Sequence, residues 1–388
     1  MTISQKLTIE LIRYEISATP ANPELLEAVN DEVLEAVYKF ATEQDIAYIV
    51  GSALSKLNLL SGDAKTAFFN EQLASVYRYE GMKHELENIT NLLETEGIAF
   101  MPLKGSVIRE IYPKPEMRTS CDIDVLIHKE DCPAAINALV EKLNYTRLGN
   151  STLHDYQFVT PAGVHVELHY TLLEDDCIPK AGLIIKDVWD HASPIDNCQY
   201  HMRMTNEMFM YYHIVHMAKH FLRGGCGIKP IIDLLILQRK TPFDNDILTH
   251  MLGASSLLSF YNAVTDLSNV WFANSEHSEI TKQMEKFIFD GGVYGNIDNS
   301  AAVSASRGES KLKSFLHLMF LPRQNLEVIY PKLKNKPYLL PYYHIKRLCR
   351  VFNKDKRKKI TTLTLARNSV TNDKVDSVGN MLHNLELI

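Results

Sequence analysis

Residues 98–127, IAFMPLKGSVIREIYPKPEMRTSCDIDVLI, decide how the rest of the chain is read. The stretch opens with an apolar run, Ile98 to Leu103, that reads as a short strand and breaks at Lys104-Gly105-Ser106. A short amphipathic segment, Tyr112-Pro113 and Arg118 follow, and a second apolar run carries Asp122-Ile123-Asp124. Side chains of a strand alternate, so Asp122 and Asp124 share one face while Ile123, Val125 and Ile127 take the other. Two carboxylates side by side on an otherwise apolar strand repel each other unless a cation lies between them. A divalent metal is the first expectation.

Working outward, residues 1–92 read as helices. Asn22-Pro23-Glu24 has the form of an N-cap with proline at the first helical position and predicts a helix to about Thr42, with Leu25, Val29, Val33, Leu34 and Val37 inward. Ala64 to Leu93 predicts a long helix ending at Glu96-Gly97, where glycine suits the left-handed closing residue. After the Asp-Ile-Asp strand, Pro133 to Leu143 reads as a helix closed by Asn144-Tyr145. Tyr156–Thr160 and Val164–Tyr170 then read as a hairpin around Pro161-Ala162-Gly163. In its second strand Val164, Val166 and Leu168 share one face, and His165, Glu167 and His169 the other.

From Asn206 the pattern is helical again. Asn206 to about Leu222 is one helix, interrupted by Gly224-Gly225-Cys226-Gly227, and Lys229–Arg239 is the next. Phe243–His250, Ser255–Trp271 and Ile280–Phe289 continue it, whereas Gly295 to Gly308 reads as an exposed polar loop. The expected fold class is α+β: a small mixed-sheet core (93–200) between an N-terminal helical region (1–92) and a larger C-terminal helical domain (201–330), with a basic tail (331–388).

Composition narrows the function classes. Apolar and charged fractions of 46% and 23% are those of an ordinary globular protein. A net charge of −6 argues against a nucleic-acid footprint spread over the whole chain. The six cysteines form no CxxC pair, which fits a reducing cytoplasm better than a zinc knuckle or a secreted disulfide framework. The N-terminus lacks the features of a signal peptide, and no apolar run is long enough to span a bilayer, so a cytoplasmic location is expected.

Three carboxylates are candidates for one site: Asp122, Asp124 and, from the later strand, Glu167. Mg²⁺, or Mn²⁺ in its place, takes hard oxygen ligands and shares its shell with substrate phosphates. Gly105-Ser106 offers a close-approaching backbone and a hydroxyl to a triphosphate, and Lys104 and Arg118 offer positive charge.

The ordered combination of a Gly-Ser turn, Asp-x-Asp and a third acidic strand resembles the nucleotidyltransferase superfamily typified by DNA polymerase beta. More closely, Pro102-Leu103-Lys104-Gly105, Tyr112-Pro113, Arg118, Asp122-Ile123-Asp124-Val125-Leu126 and Glu167-Leu168-His169 resemble the bacterial uncharacterised nucleotidyltransferase family. His216, His220 and Asp233-Leu234-Leu235 stand where that family carries helical H-x-x-x-H and Asp-Leu features. The resemblance covers roughly residues 90–330. It implies metal-dependent transfer of a nucleotidyl group from an NTP, with ATP the expected donor, to a hydroxyl on RNA, protein or a small molecule. It also implies that Gly105 and Ser106 hold phosphates, that Asp122 and Asp124 hold metal, and that Glu167 is the third acid. The chain departs from the wider superfamily in the longer spacing from Gly105-Ser106 to Asp122, and in Lys104, where the residue is usually apolar.

Two other readings belong to different classes. One is a nucleotide-binding scaffold that keeps the fold without turnover. The other is a metal-dependent hydrolase centred on His216 and His220, one helical turn apart, with Asp233 from the next helix. Between these stands the expectation that the two helices form the far wall of a nucleotide cleft. Met208 to Tyr212 reads as core. The basic segment Lys346 to Lys359 reads as a solvated tail, with RNA or an anionic surface as its alternative contact.

Overall fold

A computed structural model describes residues 1–148, 154–173, 178–293, 295–308, 320–321, 323, 326–327, 330–333, 336–351 and 370–388. The chain is α+β, with a small five-stranded mixed sheet set among helices.

The N-terminal helices are α1 (Ile3–Ser17), α2 (Pro23–Glu27), α3 (Asp31–Glu43), α4 (Ala47–Lys56) and α5 (Gly62–Glu96). The single helix expected from Asn22 to about Thr42 is two. Asn22 caps α2 as expected, but Asn30 caps a new helix by accepting the Val33 N–H at 2.9 Å. Helix α5 runs 35 residues, about 52 Å at 1.5 Å per residue. Gly97 closes it in the left-handed region at φ 70°, as its sequence predicts.

The sheet is built from β1 (Phe100–Pro102), β2 (Asp122–Ile127), β3 (Thr146–Arg147), β4 (Asp155–Val159) and β5 (His165–His169), in the order β1-β2-β5-β4-β3. Within the sheet as described, β2 and β5 pair in parallel and the other neighbouring strands antiparallel. Between β1 and β2 lie the one-turn helix α6 (Gly105–Ile108) and two 3₁₀ turns, and α7 (Cys132–Leu143) joins β2 to β3. After β5 come α8 (Pro179–Ile185) and a two-stranded ribbon, β6 (Ala192–Pro194) with β7 (Met202–Met204). The helical half is α9 (Asn206–Phe221), α10 (Lys229–Lys240), α11 (Asn245–Ala254), α12 (Leu258–Phe272), α13 (Glu279–Gly291) and α14 (Ile297–Ser306).

Helix α14 corrects the exposed loop expected over Gly295 to Gly308. Asn296 caps it, and its inward face is made of small residues, Ala301, Ala302 and Val303, with Asn299 bonded to Phe287 O at 3.0 Å. Helices Leu340–Val351 and Asn372–Asn384 complete the described chain. Most of the basic segment, residues 352–359, lies outside the described residues. Within its start, Lys346 Nζ sits 5.8, 6.0 and 6.0 Å from the ring centres of Tyr330, Tyr342 and Tyr343.

Strand alternation divides the apolar side chains between two cores. Ile123, Val125, Ile127, Val166 and Leu168 pack beneath the second half of α5, through Met82, Ile89 and Leu93, and beneath α7. Met101, Leu103 and Leu126 point the other way, into a larger core that contains side chains of α1, α3, α4, α9, α10, α12 and α13. The acidic face of the central strands therefore looks toward the helical half. No helix among the described residues is long and apolar enough to cross a membrane. The described cysteines, Cys121, Cys132, Cys198 and Cys226, are free thiols.

Candidate functional site

The parallel register of β2 and β5 sets Asp122 opposite His165, Asp124 opposite Glu167 and Leu126 opposite His169. Because both strands alternate in phase, Asp122, Asp124, Glu167 and His169 stand on one face. His169 Nε2 donates to Asp124 Oδ1 at 2.9 Å and lies 3.4 Å from Glu167 Oε2. Glu167 Oε1 also accepts from Gln157 at 3.2 Å. Asp124 is 7% exposed and His169 5%.

The group is a concentration of negative charge held by two cations. Burial and the charges of Asp124 and Glu167 push Asp122 up to about 6. Burial would also raise Asp124, but the Lys104 ammonium and the His169 hydrogen bond outweigh it and hold its carboxyl well below the usual carboxylate range. Burial works to lower His169, yet its hydrogen bonds to Asp124 and Glu167 push it up to about 9. Lys104 Nζ stands 3.5 Å from Asp124 Oδ2, and despite burial Asp124 holds it above the ordinary lysine value.

Lys104 reaches this place through a tight turn. Ser106 N–H donates to Leu103 O at 3.1 Å, with Lys104 at φ 39°, ψ −111° in the second position. That conformation belongs to a type II′ turn, where glycine is the ordinary occupant. Gly105 is needed for a different reason. A Cβ there would meet Arg118 Nη1 at 2.9 Å and Ser120 Oγ at 3.2 Å. Arg109 is buried beneath, its Nε donating to Gly105 O at 2.8 Å and its Nη2 to Ser120 Oγ. Burial and the nearby Arg118 charge lower Arg109 to about 10.

The opposite wall is helical. Lys104, Gly105, Arg118, Ser120, Asp122 and Asp124 share a cleft of about 250 Å³ with Phe209, Tyr212, His213, His216, His220, Lys229 and Asp233. Helices α9 and α10 thus supply the lining opposite the acidic strand. Asp233, however, does not join the histidines. Its Oδ2 accepts from Arg118 Nη2 at 2.9 Å, and its Oδ1 accepts from Arg118 Nε at 3.2 Å and from the Tyr112 hydroxyl at 2.6 Å. His216 and His220 instead pair with each other, Nε2 to Nε2 at 3.2 Å, and His213 Nε2 donates to Pro230 O at 3.0 Å. Among the described residues, His216, His220 and Asp233 do not form a group of three with all ligand atoms within 4.8 Å of one another. Burial and the charge of Lys104 hold His216 well below its ordinary value, and the same two causes bring His220 to about 4. The alternative hydrolase reading therefore finds no three-ligand group here: the carboxylate is committed to Arg118 and the imidazoles are kept neutral.

The other expected residues divide by position. Asp122, Asp124, Lys104, Gly105 and Arg118 line the cleft, and Glu167 joins the acidic cluster from β5. The buried Ser106 is not among the cleft's lining, and its amide is occupied in the turn. Two nitrogens of Arg118 are bound to Asp233, so it braces the cleft wall as well as lining it. Sequence reasoning passed over several residues. Met208 to Tyr212 are buried in the core as expected, and two of them, Phe209 and Tyr212, also line the cleft, Tyr212 beside Lys104. Lys229, bound to Asp45 and Thr119, also lines the cleft. His169 had a visible signal, since it shares a strand face with Glu167, but a strand pattern alone assigns a histidine no partner.

Asp124, Glu167 and His169 each offer a ligand atom within 4.8 Å of the others. Acidic oxygens with a nitrogen donor, on two rigid neighbouring strands, suit a divalent cation. A family model described as uncharacterised nucleotidyltransferase matches residues 30–273, well over half of the chain. No curated protein and no solved structure matches it.

Proposed function

The chain belongs to the uncharacterised nucleotidyltransferase family, and from that premise we propose that it moves a nucleotidyl group from an NTP to a hydroxyl acceptor with the help of a divalent cation. The observation that carries this reading is the placement of Asp122, Asp124 and Glu167 on one sheet face, opposite a cleft entered by Lys104. In the transfer, the acceptor oxygen bonds to the α-phosphorus as the bond to the pyrophosphate oxygen breaks. Asp122, Asp124 and Glu167 would hold the cation, Mg²⁺ or Mn²⁺. When bound, it supplies neutralising charge at the phosphates and makes the attacking hydroxyl more acidic.

The remaining roles belong to side chains and backbone. Lys104, already in the cleft beside Asp124, is placed to meet a phosphate oxygen as a point charge. The missing Cβ of Gly105 lets Arg118 Nη1 and Ser120 Oγ pack against the turn, which sets the Arg118 guanidinium in the cleft wall where a phosphate would meet its charge. Tyr212, Phe209 and the neutral His216–His220 pair form the wall suited to the base or the acceptor. ATP is the proposed donor, and RNA, a protein or a small molecule the class of acceptor.

The reading is tested by supplying labelled NTPs and cell lysate to the purified chain and finding which molecule takes up label. Labelling should be abolished, together with metal-dependent NTP binding, in Asp122→Asn/Asp124→Asn. A double variant that binds Mg-NTP as well as wild type removes the site assignment.

A further inference from the structure

We propose that His169 is itself a ligand of the metal site, and that its imidazole nitrogen gives the site a preference for a divalent transition ion such as Mn²⁺ over Mg²⁺. This rests on the metal site of the preceding section and adds to it a donor that three carboxylates do not provide.

Three observations carry it. The first is spacing. With metal–ligand bonds of about 2.1 Å, neighbouring donors of an octahedral ion stand roughly 3.0 Å apart. His169 Nε2 lies 2.9 Å from Asp124 Oδ1 and 3.4 Å from Glu167 Oε2, so the nitrogen stands about one octahedral edge from each carboxylate, and an ion there would take the place of the proton it donates. Lys104 approaches Asp124 through the other oxygen, Oδ2, and leaves the His169 side clear of it.

The second is rigidity. His169 is 5% exposed and stands on β5, a central strand hydrogen-bonded on both sides, so its ring has little room to swing away. A ligand held on a strand interior keeps its position before the ion arrives.

The third is a carboxylate beside the ring, the kind of neighbour that helps to hold a metal-bound imidazole in its orientation. Asp155 is the direct cross-strand partner of His169 on β4, is 2% exposed, and brings a carboxylate oxygen within 4.8 Å of a His169 ring nitrogen. The order Asp155, His169, acidic cluster therefore runs across three adjacent strands.

The selectivity follows from ligand chemistry. Mg²⁺ demands hard oxygen donors, whereas imidazole nitrogen suits first-row transition ions, and a mixed nitrogen–oxygen set shifts the balance toward them.

The test is electron spin-echo spectroscopy of the purified chain loaded with Mn²⁺, joined to competition between Mn²⁺ and Mg²⁺. The wild type should show ¹⁴N coupling to Mn²⁺. His169→Gln should still bind Mn²⁺ through its carboxylates, lose the coupling, and lose at least about tenfold in its preference for Mn²⁺ over Mg²⁺. Mn²⁺ bound with an affinity sensitive to Asp124→Asn but without ¹⁴N coupling overturns the proposal and leaves the carboxylate site standing. Coupling that persists in His169→Gln overturns it equally. Mn²⁺ binding indifferent to Asp124→Asn removes the site itself and the inference with it. The wild-type spectrum decides the existence of a nitrogen ligand even if the variant fails to fold.

Discussion

The Leu103-Lys104 step is tied to Asp124 twice. Lys104 Nζ lies 3.5 Å from Asp124 Oδ2, and the amide of the preceding Leu103 donates to Asp124 O at 3.0 Å. The turn thus delivers a cation to the strand that carries the carboxylates, at the expense of a backbone conformation that lysine rarely adopts.

That strain is measurable. Lys104→Gly and Lys104→Ala both remove the ammonium, but only glycine fits φ 39°, ψ −111° comfortably. The glycine variant should be the more stable of the two by about 1 kcal/mol in urea unfolding. Equal midpoints would mean that the turn is unstrained.

Asp233 separates an ion-pair role from a metal role. The side chains of Arg118 and Asp233 are only 12% and 1% exposed, so removing one charge strands the other. Asp233→Asn should cost about 3 kcal/mol or more and leave Mn²⁺ affinity near wild type. A variant of normal stability that has lost metal would restore the histidine centre.

Gly105→Ala separates nucleotide from cation. The new Cβ would press on Arg118 Nη1 and Ser120 Oγ, at a cost of about 1–3 kcal/mol, while β2 and β5 keep their register. NTP affinity should fall and Mn²⁺ affinity measured without nucleotide should hold. Parallel loss of both would place Gly105 within the cation site.

Acid should weaken cation binding through Asp122. Its folded value is raised to about 6 from the ordinary aspartate value of 3.8. The protonated form is therefore favoured in the fold, and this group's contribution to stability is full below the unfolded value and fades as pH rises toward 6. A cation takes only the ionised form, so affinity should drop as pH falls below about 6, with proton release on binding in that range. Calorimetry in buffers of different ionisation enthalpy measures the released proton. An Asp122→Asn variant should show less of this pH dependence, and an unchanged profile would place the proton elsewhere.

The acidic strand pair was legible because its period is strict: one face of β2 and β5 is uniformly apolar and the other is not. The long helix α5 was equally legible, from its repeating apolar positions and a closing glycine. The break at Asn30 was missed because Val29 and Val33 continue the apolar spacing across it, and only the cap residue marks the new start. Helix α14 was missed because its buried face is alanine, valine and asparagine, too small and polar to stand out from a loop. The partner of Asp233 was not readable at all, since Arg118 is 115 residues away and a carboxylate near two histidines looks the same in sequence with or without it. His169 was readable in position and not in role, because the residues it meets are set by strand pairing.

Helix α5 has a consequence for how the molecule comes apart. Phe68 near its start is fully buried in the larger core, while Met82, Ile89 and Leu93 near its end are buried against the sheet. A continuous helix of this length loses its tertiary support piecemeal only if it frays from one end. Melting either core unravels a rod on which the other depends, and this links the acidic sheet face and the helical wall into a shared cooperative unit of unfolding.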